Sequence, residues 1–351
     1  MVSLSNHEAG AVSATSSFDK LRMRTLGSEI GGQIAKPVSD AGWPSGGLGI
    51  NIAPSRFSRA EKKPKKAMAE AWKRFRRSPV ALGALAILVL LILMAIGAPW
   101  LAPFDPSAQF FDGLTLQGAP LPPSGKYLLG TDLLGRDLLS RLIFGARASL
   151  EIGIAANLAA VALGAFVGIT AGYLQGPVGF LLMRFTDLMM AFPALLLAIA
   201  LAAIFEPSLW IVAMVIAMVN WVQVARIVYT ETTSLAARDY IEATRALGAH
   251  WPRIVLRHIL PHLAPILVVW STLGVATTVL FEAALSFLGI GVRPPTPSWG
   301  NIINESQSYF LTAPWLVFFP GIAILLLALS CNIVGDALRD AFDPTARGRG
   351  Q

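Results

Sequence analysis

Runs of about 20 apolar residues recur along this chain, and they leave few folds open. A run of that length crosses the ~30 Å hydrocarbon layer of a bilayer as an α-helix. They fall at about residues 80–101, 152–173, 188–205, 209–228, 263–281 and 314–334. Lipid offers no hydrogen bonds, so a spanning segment must pair its backbone groups internally, and a lone segment does so only as a helix. The expected fold class is an all-α polytopic membrane protein with six transmembrane helices. Composition agrees. Of 351 residues, 54% are hydrophobic and 14% charged, and mean hydropathy is +0.60, whereas a soluble domain carries about a quarter charged residues.

The flanks set the orientation. Residues 1–67 read as a disordered N-terminal extension, rich in Ser, Gly, Ala and Pro, without sustained apolar periodicity. No apolar stretch follows the early charges, so this is not a secretory signal. Residues 56–77 hold ten Lys or Arg against Glu61 and Glu70. Placed directly before the first span, such a block stays in the cytoplasm and can touch anionic membrane lipid. The net charge of +7 therefore points to orientation, not to nucleic acid. Residues 68–147 form an N-terminal region with the first transmembrane helix and a periplasmic segment. Residues 148–337 form a core with five transmembrane helices, and 338–351 a cytoplasmic tail. The 238–262 loop carries Arg238, Arg245, Arg253 and Arg257 against Asp239 and Glu242, while 289–313 has only Arg293 and Glu305. That bias puts both termini and the 238–262 loop inside.

Several residues stand out within this frame. Ala156, Ala160, Gly164, Gly168 and Gly172 recur every fourth residue of the second span, a face that a neighbouring backbone can approach closely. Asp132, Arg136, Asp137 and Arg141 are spaced for surface ion pairs on a solvated amphipathic helix. Arg184 and Asp187 fit an ion pair in a short loop at the membrane edge. Asn220 and Gln223 in the fourth span, and Glu282 at the far end of the fifth, are candidate pathway-lining residues, since polar groups at membrane depth face protein or a water-filled cavity. Pro294, Pro295 and Pro297 forbid a regular helix in that connection. Cys331 lies in an apolar run and packs as a small hydrophobe.

Residues 238–261, RDYIEATRALGAHWPRIVLRHILP, interrupt two apolar spans with a polar, basic stretch. Tyr240, Ala243 and Leu247 share a helical face. Gly248 suits a helix C-cap, and Pro252 suits the first turn of a second helix. Ile254, Val255 and Ile259 give that helix an apolar stripe, and Pro261 is expected to end it. A helix-turn-helix between membrane spans is a solvated loop or a knob for a partner, and not a DNA reader.

Glu242-Ala243-Thr244, Gly248 and Leu260-Pro261 resemble the EAA signature of ABC-importer permeases, with Thr244 and His258 departing from the usual pattern. MAEAWKRFRRSPVAL from Met68, GTDLLGRDLLSRLIFGARASL from Gly130, residues 286–299 and GDALRDAFDP from Gly335 resemble the dipeptide/oligopeptide branch of that family. The resemblance covers about residues 68–344, which would make 1–67 an addition to the family frame. It implies the type I ABC-importer permease fold. It also implies four kinds of partner: a second homologous permease subunit, two ABC ATPase subunits, a periplasmic solute-binding protein and the lipid of a bacterial inner membrane. The ATPase-coupling loop would be 238–261, with Glu242, Ala243, Thr244, Leu247, Gly248, Leu260 and Pro261 at the contact.

No enzyme chemistry is expected. Without a G-x-x-x-x-G-K-[ST] loop the chain cannot cradle ATP, so no cofactor is expected here and ATP and Mg would serve the partner subunits. His258 and His262 are four apart, but a break at Pro261 would part them and no further ligand is near, so no metal is expected. No serine stands in a G-x-S-x-G context, which weighs against an intramembrane protease. A secondary transporter would need carboxylates at mid-membrane, whereas the acidic residues here flank the spans.

Overall fold

The computed structural model describes residues 75–206 and 208–342, all within the unit Glu61–Gln351. The expected extension 1–67 and the last nine residues of the expected tail lie outside the described residues. Among the described residues the protein is helical, with two isolated β-bridges, Leu114 to Pro120 and Thr131 to Asp137.

Local chemistry sets where the helices begin and end. The first, α1 (Pro79–Ile96), starts with Pro79, whose missing N–H costs nothing in a first turn. Ser78 Oγ accepts from the Ala81 N–H at 3.2 Å. The chain bends at Gly97 into the short α2 (Ala98–Leu101). An irregular segment leads to α3 (Leu138–Leu174), capped by Asp137, whose carboxylate accepts the Ser140 N–H at 2.8 Å. This helix has 37 residues. Of the charged residues expected on a surface helix, only Arg141 lies in α3, continuous with the second span; Asp137 is its cap, and Asp132 and Arg136 precede it in a loop.

The third expected span, 188–205, is corrected. Two helices stand there, α4 (Gly176–Ala191) and α5 (Ala194–Ala202), bent by 90°. Pro193 is the cause. It has no N–H to continue the ladder, and it holds Phe192 in an extended conformation, φ −88° and ψ 135°. Arg184 and Asp187 accordingly lie within α4 and not in a loop.

The remaining helices are α6 (Leu209–Ala236), α7 (Asp239–Ala246), α8 (Trp251–Ile254), α9 (Leu260–Phe287), α10 (Trp299–Glu305) and α11 (Trp315–Phe342). A π-turn, Val255–Ile259, joins α8 to α9 without a break. The last helix runs through Gly335 to Phe342, so the start of the expected tail is helical. Five helices are long and apolar enough to cross a membrane, and the bent pair α4–α5 meets the same measure only when its two arms are taken together.

The bundle closes on α3. An added Cβ at Gly164 would stand 2.6 Å from the Trp221 carbonyl oxygen, one at Gly168 2.5 Å from that of Ala225, and one at Gly172 2.8 Å from Thr232 Cβ. Numbers rise together on both helices, so α3 and α6 are parallel and nearly touch along a seam. Ala156 and Ala160 extend the same face. Parallel pairing requires the chain between them to return from one end of the bundle to the other. The bent pair α4–α5 makes that crossing. On the other side of α3, Asn157 Nδ2 donates to the Ser271 carbonyl of α9 at 2.6 Å. The Leu273 side chain of α9 fills the space beside Gly335 of α11.

Candidate functional site

The segment 238–261 folds into a two-helix unit at one end of the bundle. Asp239 and Glu242 occupy the first turn of α7, where a negative charge is favoured by the unpaired N–H groups of the helix start. The helix stops at a paired cap. The Gly248 N–H donates to the Arg245 carbonyl at 3.0 Å, and the Ala249 N–H to the Thr244 carbonyl at 3.3 Å. Gly248 has φ +82°, which a residue with a Cβ adopts only at a cost. Pro252 lies in the first turn of α8, as its chemistry suggests.

One side of the unit is anchored. Ile241, Ile254, Val255, Ile259 and Leu263 are buried in a cluster with Ile169 and Tyr173 of α3 and Val228 and Leu235 of α6. The stripe of Ile254, Val255 and Ile259 is thus core. The Arg245 guanidinium lies over the Tyr173 ring, 5.1 Å from its centroid. The other side is open. Glu242, Ala243 and Gly248 are exposed and Thr244 half-buried. Leu247 is 89% exposed, and Trp251 and Leu256 are 51% and 65% exposed. Small and charged positions thus surround a protruding Leu247–Trp251 pair. Trp251 and Leu256 were not among the residues expected here. Their type was the available signal, since two large apolar side chains in a polar loop need a cover.

Pro261 does not end the second helix. In a regular helix its ring would press on the Arg257 carbonyl. The π-turn relieves this by widening the preceding turn, with the Leu260 N–H donating to the Val255 carbonyl five residues back. Leu260 and Pro261 are therefore the first turn of α9, and the unit is rigidly continuous with a membrane-length helix. His258 and His262 stay on that helix. The His262 Nδ1–H donates to the His258 carbonyl at 2.9 Å, and both rings lie against Tyr240. Among the described residues no third ligand completes a metal-holding group.

The three pathway candidates are not brought together. Asn220 is half-buried and Gln223 exposed on α6. Glu282 lies inside α9, near its far end, and is fully buried. It accepts from Ser286 Oγ at 2.7 Å and Ser149 Oγ at 3.3 Å. Another charged group joins Gln223 on the open face of α6. Arg226 Nη2 stands 3.1 Å from Asp187 Oδ1, and Arg184 Nη1 stands 3.4 Å from Asp187 Oδ2. Arg226 was legible as a lone arginine inside an apolar run.

At the opposite end of the bundle, the expected surface ion pairs are buried. Asp132, Arg136, Asp137 and Arg141 are each less than a tenth exposed. Arg136 Nε is 2.6 Å from Asp132 Oδ2, and Arg141 also pairs with Asp132. Both arginines reach Glu305 Oε2 at 2.8 Å. The loop 130–137 turns through Gly130 and Gly135, at φ +85° and +72°, which brings Asp132 under the guanidinium groups. The network ties this loop to α10. Nearby, Lys126 hydrogen-bonds Asp112 at the surface and holds its carboxyl below the ordinary range.

Comparison with known proteins gives consistent matches. Residues 164–348 match the family model described as the binding-protein-dependent transport system inner membrane component. Residues 67–123 match the N-terminal TM domain of oligopeptide transport permease C. The chain is 42% identical over 281 residues to the di/tripeptide transport system permease protein DppC of Pseudomonas aeruginosa strain UCBPP-PA14, covering 78% of this chain and 91% of that protein. It is 42% identical to the dipeptide transport system permease protein DppC of Alkalihalophilus pseudofirmus, over 78% of this chain and 89% of that one. It is 40% identical to the glutathione transport system permease protein GsiD of Escherichia coli O6:K15:H31, over 80% and 91%.

Proposed function

This chain belongs to the family of binding-protein-dependent transport system inner membrane components, and from that premise we propose that it carries di- or oligopeptides, or a related small solute, into the cell. It is the permease subunit of an ABC importer and not itself an enzyme. ATP hydrolysis resides in partner subunits. We assign those partners as a second permease of the same kind, two ATPases and a periplasmic solute-binding protein, with both termini of this chain in the cytoplasm.

The observation that carries this reading is the unit 238–261. A mechanical link must pass between ATP hydrolysis and the membrane pathway. The unit presents exposed Leu247 and Trp251 to a partner, while Ile241, Ile254 and Ile259 lock it to α3 and α6. Its continuity with α9 transmits a push at α7 into a helix of the bundle. Coupling requires a packed element that can take two arrangements, and this unit is placed to serve as one. Supporting the peptide assignment are the relatives' names and the match of the N-terminal region.

The test is reconstitution. The complex is isolated through a tag on this chain, its ATPases identified, and vesicles assayed for dialanine accumulation with the loaded binding protein. Accumulation should follow ATP hydrolysis and stop with a non-hydrolysable analogue. Accumulation driven instead by a proton gradient, without ATPases in the complex, would identify a secondary transporter.

A further inference from the structure

We propose that Arg184, Asp187 and Arg226 form a carboxylate-binding station in the membrane-embedded half of the permease pathway that lies nearest the coupling unit. This rests on the importer reading and adds to it a site and the solute group it holds.

Depth comes first. Arg226 stands about 26 Å along α6 from Leu209 and about 15 Å from Ala236, at ~1.5 Å per residue. Asp187 stands about 16 Å along α4 from Gly176 by the same rise. Arg226 is thus well inside a helix long enough to cross the bilayer, and Asp187 stands beside it on α4, the first arm of the bent pair. Charged groups at such depth do not face lipid. Yet in this chain Arg184 and Arg226 are open, with side chains 64% and 51% exposed.

The face around them is polar. Gln223, Arg226, Thr230 and Ser234 recur at steps of three, four and four, and all four are exposed. They form one stripe on the half of α6 that leads to α7. The exposed residues of the other half are Trp210, Met214 and Met218. A helix that met only a packed neighbour would present small or apolar residues throughout. A stripe that turns polar halfway suits a water-filled path that widens toward the coupling unit.

The charge then selects the solute. Two guanidinium groups converge on one carboxylate, so the cluster is net positive. Each guanidinium has five N–H donors, and Asp187 takes few of them. Arg226 Nη1 also donates to Met190 Sδ at 3.3 Å and the Arg184 guanidinium lies over the Phe180 ring; the donors that remain are held in planar groups, which suit a carboxylate. A short peptide brings one carboxylate at its C-terminus. Asp187 bridges the two arginines and holds them in place, so the site is preformed.

The experiment uses the whole importer with its binding protein and ATPases. Cys331 is the only cysteine in the sequence and is buried, so labelling read on this subunit, separated from its partners after the reaction, reports the introduced thiols. Gln223→Cys and Thr230→Cys should react with the charged reagent methanethiosulfonate ethyltrimethylammonium. Dialanine should slow that reaction, and dialanine amide, which lacks the carboxylate, should not. Arg226→Gln should lower the dialanine moved per ATP about tenfold, the loss expected for one charge-assisted hydrogen bond, with the complex intact. No labelling in any nucleotide state would overturn the station, as would equal protection by the amide. Dissociation of the complex by Arg226→Gln would also overturn it, by making the cluster a subunit contact. Stimulation of the wild-type ATPase by loaded binding protein is read separately, so failure of the importer reading itself would show there.

Discussion

At the scale of single residues, the protein spends charge in two different ways. At Asp132 a carboxylate is withdrawn from water and repaid by Arg136 and Arg141. Removing Asp132 leaves two buried guanidinium groups with Glu305 as their one carboxylate, a loss of about 3 kcal/mol or more. Asp132→Ala should therefore lower the melting temperature of the purified protein by several degrees, while Lys126→Ala at the exposed pair leaves it unchanged. Glu242 and Gly248 are open, and they serve only the two ends of the short helix α7. Glu242→Lys reverses the charge at the start of α7, and Gly248→Asp forces a side chain into φ +82° at roughly 1–2 kcal/mol. Both variants should reach the membrane in normal amount yet take up no solute, with ATPase activity losing its response to loaded binding protein. Normal uptake with bound ATPase would remove the unit 238–261 from the coupling role. The open pair of functions was readable from residue types and local spacing. The buried network was not, because Glu305 lies 164 residues from Arg141, and no local pattern reports a partner that distant.

At the scale of elements, the α3–α6 seam and the two proline sites show what periodicity conveys. A row of small residues at every fourth position marks a close approach, and the structure puts Trp221, Ala225 and Thr232 against it. Gly168→Leu should drive the helices apart and abolish recovery of the complex, whereas Gly83→Leu, with nothing within 4 Å, should leave the yield unchanged. Equal yields would mean that the seam does not hold the bundle. Hydropathy located the spans because burial in lipid demands it, but it is blind to direction. Apolar character continues straight through Phe192 and Pro193, so the 90° bend was invisible to it. Pro261 misled in the opposite sense. A proline reads as a stop, yet a single wide turn let α8 pass into α9.

At the scale of the whole molecule, the parallel pairing of α3 with α6 makes the bent pair a full crossing, which gives six spans and places both described ends on one side. Reporter fusions after Gly125 and Pro294 should be active outside the cytoplasm, and a fusion after Ala249 inside; a cytoplasmic signal at Pro294 would refute the six-span arrangement. The same pairing has a consequence in time. A chain is made from its N-terminus, so α3 enters the membrane before α4, α5 and α6. Its glycine row has no helix to meet until α6 arrives, and the Asn157 amide has no carbonyl to bond until Ser271 of α9 follows. During that interval the nascent protein holds an uncovered amide in lipid, where an unpaired polar group is costly. Birth order thus creates a waiting intermediate whose lifetime is set by the rate of synthesis. A chain stalled at residue 205 should be cleared by membrane proteases faster than one stalled at residue 290, a difference that pulse-labelling would measure.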